Sequence, residues 1–244
     1  MKLIHPDHER LYPLPGVAVP AHRPVDIDGS NTGFQRLRSL RIYRFPAGVP
    51  VDGHAEDDEV FLILTEGTAT VQIGISEADP ASVGTFTLSA FHAHGDRPSV
   101  AYLPPHAVYR LTPHTIADVA YARATTPHQR ETAVFSTRRH SAKEGRGVLL
   151  DQRNHAHLLG LLLAEIVAGR EDLELDLRGG VAPGAELLVH IQSENPIASA
   201  SLQTSNGDTL PIHSWDTVAL APNETATLRI PPRTDLLTLT VFAE

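Results

Sequence analysis

The sequence predicts an all-β fold made of two small closed barrels in tandem, on three observations. Residues 48–74, GVPVDGHAEDDEVFLILTEGTATVQIG, read as strand, polar mouth, apolar strand, glycine turn and strand, with β-branched residues filling the strands. The carboxyl-terminal half breaks into short strands divided by Asn-Gly, Gly-Gly and proline turns. The third observation is an internal repeat. VAYLPPHAVYRLTP (100–113) and VALAPNETATLRIP (218–231) share an apolar strand, a proline turn, a second strand and a closing proline. DGHAEDDEVFLILTEGTATVQIG (52–74) and GVAPGAELLVHIQSENPIASASLQTSNG (180–207) match more loosely, each with an acid at the strand start, Glu59 and Glu186. The intervals from acid to proline turn, 45 and 36 residues, fit a duplication with some loop loss.

Composition narrows the function classes. At 244 residues the chain accommodates one large all-β domain or two of about 120 residues. It contains no cysteine, which removes thiol catalysis, cysteine-ligated zinc and disulfide stapling. There is no apolar run of about 18 residues and no basic-apolar-small amino terminus, so neither a membrane span nor a signal peptide is expected, and the cytoplasm is the expected location. The formal charge of -9, from 29 acidic and 20 basic residues, argues against nucleic acid as a partner. The 14 histidines are scattered.

Taken in order, residues 1–32 are rich in Pro, Gly and His and are expected to wrap the first barrel as an arm or edge strand. In 34–48, Leu37, Leu40, Ile42 and Phe45 interleave with four arginines, as a half-exposed strand would. After residues 48–74, Phe86 and Leu88 mark a strand, and His92, His94, Gly95 and Asp96 an open turn. Val100–Leu103 is a strand stopped by Pro104 and Pro105, Ala107–Leu111 another, and 116–125 the closing strand. The first barrel with its arm is therefore assigned to 1–126, a polar connection to 127–155 and a second, degenerate barrel to 156–244. Residues 148–150 are a candidate short strand within the connection. Residues 158–168, LLGLLLAEIVA, fit either a helix capped by Asn154 or the first strand of the second barrel.

Residues 33–127 resemble a known family. GFQRLRSLRIYRFPAGVPVDGHAEDDEVFLILTEGTATVQIG, then AYLPPHAVYRLTP and ADVAYARATTP, are similar to the strand pair, glycine turn and proline-proline turn of the two-barrel cupins. Within these bicupins (double-stranded β-helix, or jelly-roll, barrels) the likeness is to the IolB-like 5-deoxyglucuronate isomerase family of inositol breakdown. The second half resembles a cupin through its strand pattern and proline turn.

The resemblance implies a metal motif, G-x5-H-x-H-x3/4-E-x6-G and then P-x-G-x-x-H, which gathers three imidazoles and a carboxylate around a divalent ion. Here Gly48, His54 and Gly67 fall in place, but Glu56 stands at the second histidine, Val60 at the glutamate with Glu59 one residue earlier, His106 at the later glycine and Tyr109 at the later histidine. In the second copy Val181, Pro183 and Thr227 occupy the corresponding positions, where the related isomerases are expected to hold their catalytic metal. A divalent metal is thus implied by the family while its usual ligand set is incomplete, and no metal ligand is assigned.

His54 and Glu56 share strand parity, so in an extended segment both face the cavity as an acid/base pair or a clamp on sugar hydroxyls. The bland alternative is a solvated barrel mouth. If the family's chemistry operates here, the resemblance points to His54, Glu56 and Tyr109 as catalytic groups, with Glu59, His92, His94 and His106 binding substrate. For Tyr109 the alternative is ordinary core, and for the His92–His94 pair a surface loop. Two functions follow. One is isomerisation of a small sugar acid, resembling 5-deoxyglucuronate. The other is a catalytically degenerate, metal-free bicupin that binds a small polar ligand or acts through another protein. Exposed edge strands of such barrels make a homodimer the expected assembly.

Overall fold

The apolar run beginning at Val60 sits in a strand, Asp58–Glu66, that is buried on both faces. Val60, Leu62 and Leu64 point into the first barrel, while Phe61 and Ile63 join a second core shared with the other half of the chain. Burial on both sides is why this strand reads as a continuous apolar run rather than an alternation. The computed structural model describes residues 1–15, 17–90, 98–137, 145–193 and 200–244. His92 and His94, and residues 194–199 of the repeat, lie outside the described residues.

Each half pairs a larger with a smaller antiparallel sheet. The larger sheet of the first barrel runs Ala133–Ser136, Pro98–Leu103, Asp58–Glu66, Ala117–Thr125, Leu37–Phe45, Ala21–Asp28 and Leu11–Tyr12. Its smaller sheet runs Val51–His54, Val108–Pro113, Thr68–Gly74 and Gly84–Ser89. In the second barrel the larger sheet runs Lys2–Ile4, Thr217–Leu220, Glu186–Gln192, Asp235–Ala243, Leu159–Val167 and Gly145–Gln152. The smaller one runs Leu173–Asp176, Ala226–Ile230, Ser201–Thr204 and Thr209–Pro211. The two strand orders correspond, as the repeat predicts, except that the edge strand Leu11–Tyr12 of the first barrel has no counterpart in the second.

The edges depart from the sequence reading. The amino-terminal arm does not wrap only the first barrel: Lys2–Ile4 pairs with Thr217–Ala219 of the second, with Ile4 opposite Thr217. Reciprocally, Ala133–Ser136, inside the expected connection 127–155, pairs with the Pro98–Leu103 strand of the first barrel. Each half thus lends its leading strand to the edge of the other, covering an edge that would otherwise expose unpaired backbone groups. The rest of that connection is also structured. Gly145–Gln152 pairs with Leu159–Val167, which settles 158–168 as strand.

The two larger sheets pack face to face. Leu40, Ile42, Phe61, Ile63, Val100 and Tyr102 meet Leu159, Leu161, Leu163, Leu188, Leu239 and Val241 in one core between the barrels. Two carboxylates lock this contact. Glu59, fully buried, accepts the backbone N–H groups of His157 (2.8 Å), Leu158 (2.6 Å) and Leu159 (2.6 Å), and the Tyr102 hydroxyl at 3.2 Å. Glu186 accepts those of Gln35 (2.7 Å), Arg36 (2.8 Å) and Leu37 (2.8 Å). Each acid therefore caps the entry of the corresponding strand in the opposite barrel, and the duplication becomes a reciprocal clasp. Such charge-assisted bonds satisfy donors that would otherwise be stranded at the sheet contact.

Candidate functional site

The candidate site is the interior of the first barrel around Tyr109. Its strand pairs with Val51–His54 so that Tyr109 lies opposite Gly53. A Cβ on Gly53 would lie 2.3 Å from both Cζ and the hydroxyl of Tyr109, so only glycine lets the ring lie there. This fixes the register of the mouth strand. Gly53, the fully buried Ala55 and the partly buried Val51 take the inward parity, and His54 and Glu56 take the other. Because alternate residues of a strand face opposite sides, the expected convergence of His54 and Glu56 on the cavity is corrected.

His54 is exposed, with Nε2 3.4 Å from Glu77. Glu56 adopts a left-handed backbone (φ 56°), which turns it out of the strand, and its carboxylate lies 3.4 Å from Arg123 and 3.9 Å from Arg38. His106 is also left-handed (φ 66°), in the turn after Pro104 and Pro105. Its N–H donates to the Glu56 carbonyl at 2.6 Å, and its exposed ring lies 3.8 Å from Asp57. Glu56, Asp57 and His106 therefore form a solvated rim. Glu59, expected to contact substrate, faces the other barrel because it has the opposite parity to Val60, and its oxygens are committed to the clasp.

Inside the barrel lies a group of phenols. The Tyr109 and Tyr121 rings stack at 5.9 Å, Tyr121 meets Tyr43 edge-on at 5.6 Å, and Tyr43 meets Tyr12 at 5.1 Å. The Arg23 guanidinium sits 5.0 Å over Tyr12 and 5.8 Å over Tyr43. Beside the rim, the fully buried Asp58 is held by Arg123 Nε at 2.9 Å, Arg38 Nη1 at 3.0 Å and the Thr125 hydroxyl at 2.7 Å. Burial pushes the Tyr109 phenol up to about 12, against the lowering pull of Tyr121 and Arg123. Burial, reinforced by Tyr109, raises Tyr121 further. Both hydroxyls are protonated donors at neutral pH. The Tyr121 hydroxyl lies against that of Tyr109 and the Arg23 guanidinium against that of Tyr43, but neither the Tyr121 hydroxyl nor Arg23 Nε makes a well-aligned hydrogen bond. Incompletely satisfied polar atoms of this kind are what an incoming oxygen-rich ligand can engage. The sequence reading had singled out Tyr109 alone. The signal for the others was the inward alternation Val119, Tyr121, Arg123 on the closing strand, opposite Tyr43 on its neighbour.

The corresponding interior of the second barrel has no tyrosine among its described core residues. Leu187, Val189, Ile191, Leu202, Leu228, Ile230 and Phe242 fill it. Arg178, 5% exposed, knits its mouth: Nε donates to the Glu224 carbonyl at 2.9 Å, Nη1 to Ala182 (2.9 Å) and Ala185 (3.0 Å), and Nη2 to Ala221 (2.9 Å). Among the described residues, the metal implied by the family resemblance does not fit either barrel. Val60 and Val181 are buried in apolar core, Pro183 is an exposed turn residue, Tyr109 is a protonated phenol, and Thr227 lies in the Ala226–Ile230 strand opposite Asp176 and Gln203. Of the motif's imidazoles only His54 is in place, and it is exposed on the outward face, so the donor set does not converge inside the barrel.

A family model described as KduI/IolB family matches residues 19–160. Among solved structures, an IolB-like protein from Salmonella typhimurium LT2 aligns with TM-score 0.71 at 16% identity, over 99% of this chain and 92% of that one. Protein Ylba from E. coli aligns at 0.63 and 11% identity, over 99% and 90% of the two chains. A Bacillus subtilis oxalate decarboxylase aligns at 0.64 and 12% identity, over 99% and 77%. No curated protein matches the sequence. At these identities the structural likenesses establish the fold, a pair of cupin barrels. Among the described residues no helix is long and apolar enough to cross a membrane.

Proposed function

The chain belongs to the KduI/IolB family, and from that premise we propose that it acts on a small sugar acid, with sugar isomerisation as its reaction type and the first barrel as its ligand site. The observation that carries this reading is the protonated Tyr109–Tyr121 pair standing where the cupin motif would place a metal ligand. Phenols donate to carbonyl and hydroxyl oxygens of a sugar, and a guanidinium matches a carboxylate. In this reading Tyr109 and Tyr121 polarise the oxygens of the carbonyl and the developing enediolate, and Arg23 or Arg123 steers the acid group. His54 and Glu56 at the rim, with His106 beside them, are the groups left to relay a proton, from outside rather than within the cavity. The substrate class is 5-deoxyglucuronate or a related uronate, which would place the protein in cytoplasmic inositol breakdown.

A second reading, a catalytically degenerate, metal-free bicupin that binds its ligand without turning it over, is favoured by a specific observation. The one interior carboxylate among the described residues, Asp58, is already engaged by two guanidinium groups and a hydroxyl, which leaves it a poor base. One experiment separates the two. Purified protein is incubated with 5-deoxyglucuronate and related uronates, with added divalent metals and with EDTA, while binding is followed by calorimetry. Turnover lost in Tyr109→Phe supports the isomerase. Saturable binding without turnover supports the binding protein. Neither turnover nor binding with any of these compounds removes both.

A further inference from the structure

The exchanged amino-terminal strand ends beside a group of side chains that neither barrel interior uses. Ile4 pairs with Thr217, so His5 emerges next to Asp216. His5 Nδ1 lies 2.7 Å from Asp216 Oδ1, His213 Nδ1 lies 3.6 Å from Asp216 Oδ2, and one donor atom of each residue lies within 4.8 Å of the other two. Two imidazoles and a carboxylate are a donor set for a borderline divalent ion such as zinc. We infer that His5, His213 and Asp216 form a divalent transition-metal site of the zinc class, one that pins the amino-terminal strand to the second barrel.

Four features of the structure argue for a built site rather than a chance meeting of surface groups. Asp216 is 1% exposed, yet it has no Lys or Arg partner among the described residues and faces only the two histidines. A buried carboxylate without a compensating cation is costly, and a bound ion would offset that cost. Its orientation is fixed from its own turn, since the backbone N–H of His213 donates to Oδ2 at 2.8 Å. Trp215 between them adopts φ 75°, a left-handed strain for a bulky residue that folds His213 and Asp216 onto one side. His5 and His213, with side chains 62% and 65% exposed, leave the outer positions open to water. Ligands about 2.0–2.1 Å from a tetrahedral zinc lie about 3.3 Å apart, so the three donors reach that geometry by shifts of a few tenths of an ångström to about 1.5 Å in exposed rings. At the end of the other exchanged strand, Ser99 and Thr137 meet through hydroxyls at 3.3 Å.

The test is titration of the whole chain with Zn²⁺ by calorimetry, and with Co²⁺ by visible absorption. One ion per chain is expected, with the intense absorption of a tetrahedral cobalt site. His5→Ala and His213→Ala, both at exposed side chains, each lower the affinity by more than about a hundredfold, beyond the 10–100-fold typical of losing an outer partner. His128→Ala, at a separate histidine pair with ring centroids 4.0 Å apart, leaves it unchanged. Hydrogen exchange at the Lys2–Ile4 amides slows when Zn²⁺ is added. Absence of saturable binding overturns the proposal, and so does binding indifferent to both the His5 and His213 substitutions. None of these readouts uses turnover, so the result is independent of the sugar-acid reading.

Discussion

The two barrels share one strand order and differ in what they enclose. The first holds Tyr43, Tyr109 and Tyr121, with a buried Asp58 and its arginines. The second holds aliphatic side chains beneath a mouth sealed by Arg178. The contacts that join the copies are matched on both sides, Glu59 against 157–159 and Glu186 against 35–37. After duplication the assembly contacts stayed symmetric while the interiors diverged. Residues that hold the halves together are constrained from both sides, whereas each interior answers only to its own contents.

The largest effect is expected at the clasp. Glu59→Ala or Glu186→Ala strands three backbone N–H groups at the sheet contact, and each substitution costs about 3–5 kcal/mol of stability in denaturant unfolding. Glu59 is the costlier because it also accepts the Tyr102 hydroxyl. A cost near zero for one and not the other would break the symmetry. Next comes the seal of the second barrel. Arg178→Met frees the four carbonyls of Glu224, Ala182, Ala185 and Ala221 and is expected to cost about 3 kcal/mol. Ligand binding in the first barrel should survive it wherever the protein stays folded.

A smaller effect depends on pH. His190 is fully buried, with Nδ1 3.0 Å from the Thr217 hydroxyl and no partner for Nε2 among the described residues, and burial lowers its pKa to about 3. The unfolded chain therefore binds this proton more readily than the folded one. Stability is fully present above the unfolded value near 6.5 and falls as pH drops from there towards 3, by up to about 1.4 kcal/mol per unit. In His190→Leu the unfolding free energy should vary less between pH 7 and pH 5 than in the parent, by about 2 kcal/mol. An unchanged slope would show that His190 is already charged or exposed. Smallest of all is Tyr109→Phe, expected within about 1 kcal/mol on stability because the ring and its packing remain, while ligand affinity is lost.

The barrels were legible in the sequence because each repeat writes its strands, turns and proline corners twice. The site was less so. Between Val51 and Glu56 the inward set is Val, Gly, Ala and the outward set Asp, His, Glu, and a cupin template makes the outward histidine look like a ligand. Only the space that Tyr109 requires over Gly53 decides the parity. Glu59 could not be assigned without the strand entry it caps, which lies 98 to 100 residues away. The strand exchange was hidden because Lys2–Ile4 is three residues long and carries no periodicity of its own. His190 illustrates the limit in the other direction: it is one of 14 scattered histidines in the sequence, and its burial against Trp215 at 5.6 Å is visible only with the sheets packed.

The central claim is that the first barrel takes the ligand and the second does not. A crystal structure of the protein soaked with 5-deoxyglucuronate or a related uronate tests this most directly. The account predicts density in the first barrel, with oxygens within hydrogen-bond distance of the Tyr109 and Tyr121 hydroxyls and the acid group towards a guanidinium. Ligand density in the second barrel, beside Val181 and Thr227 with Arg178 displaced from its carbonyls, would contradict it.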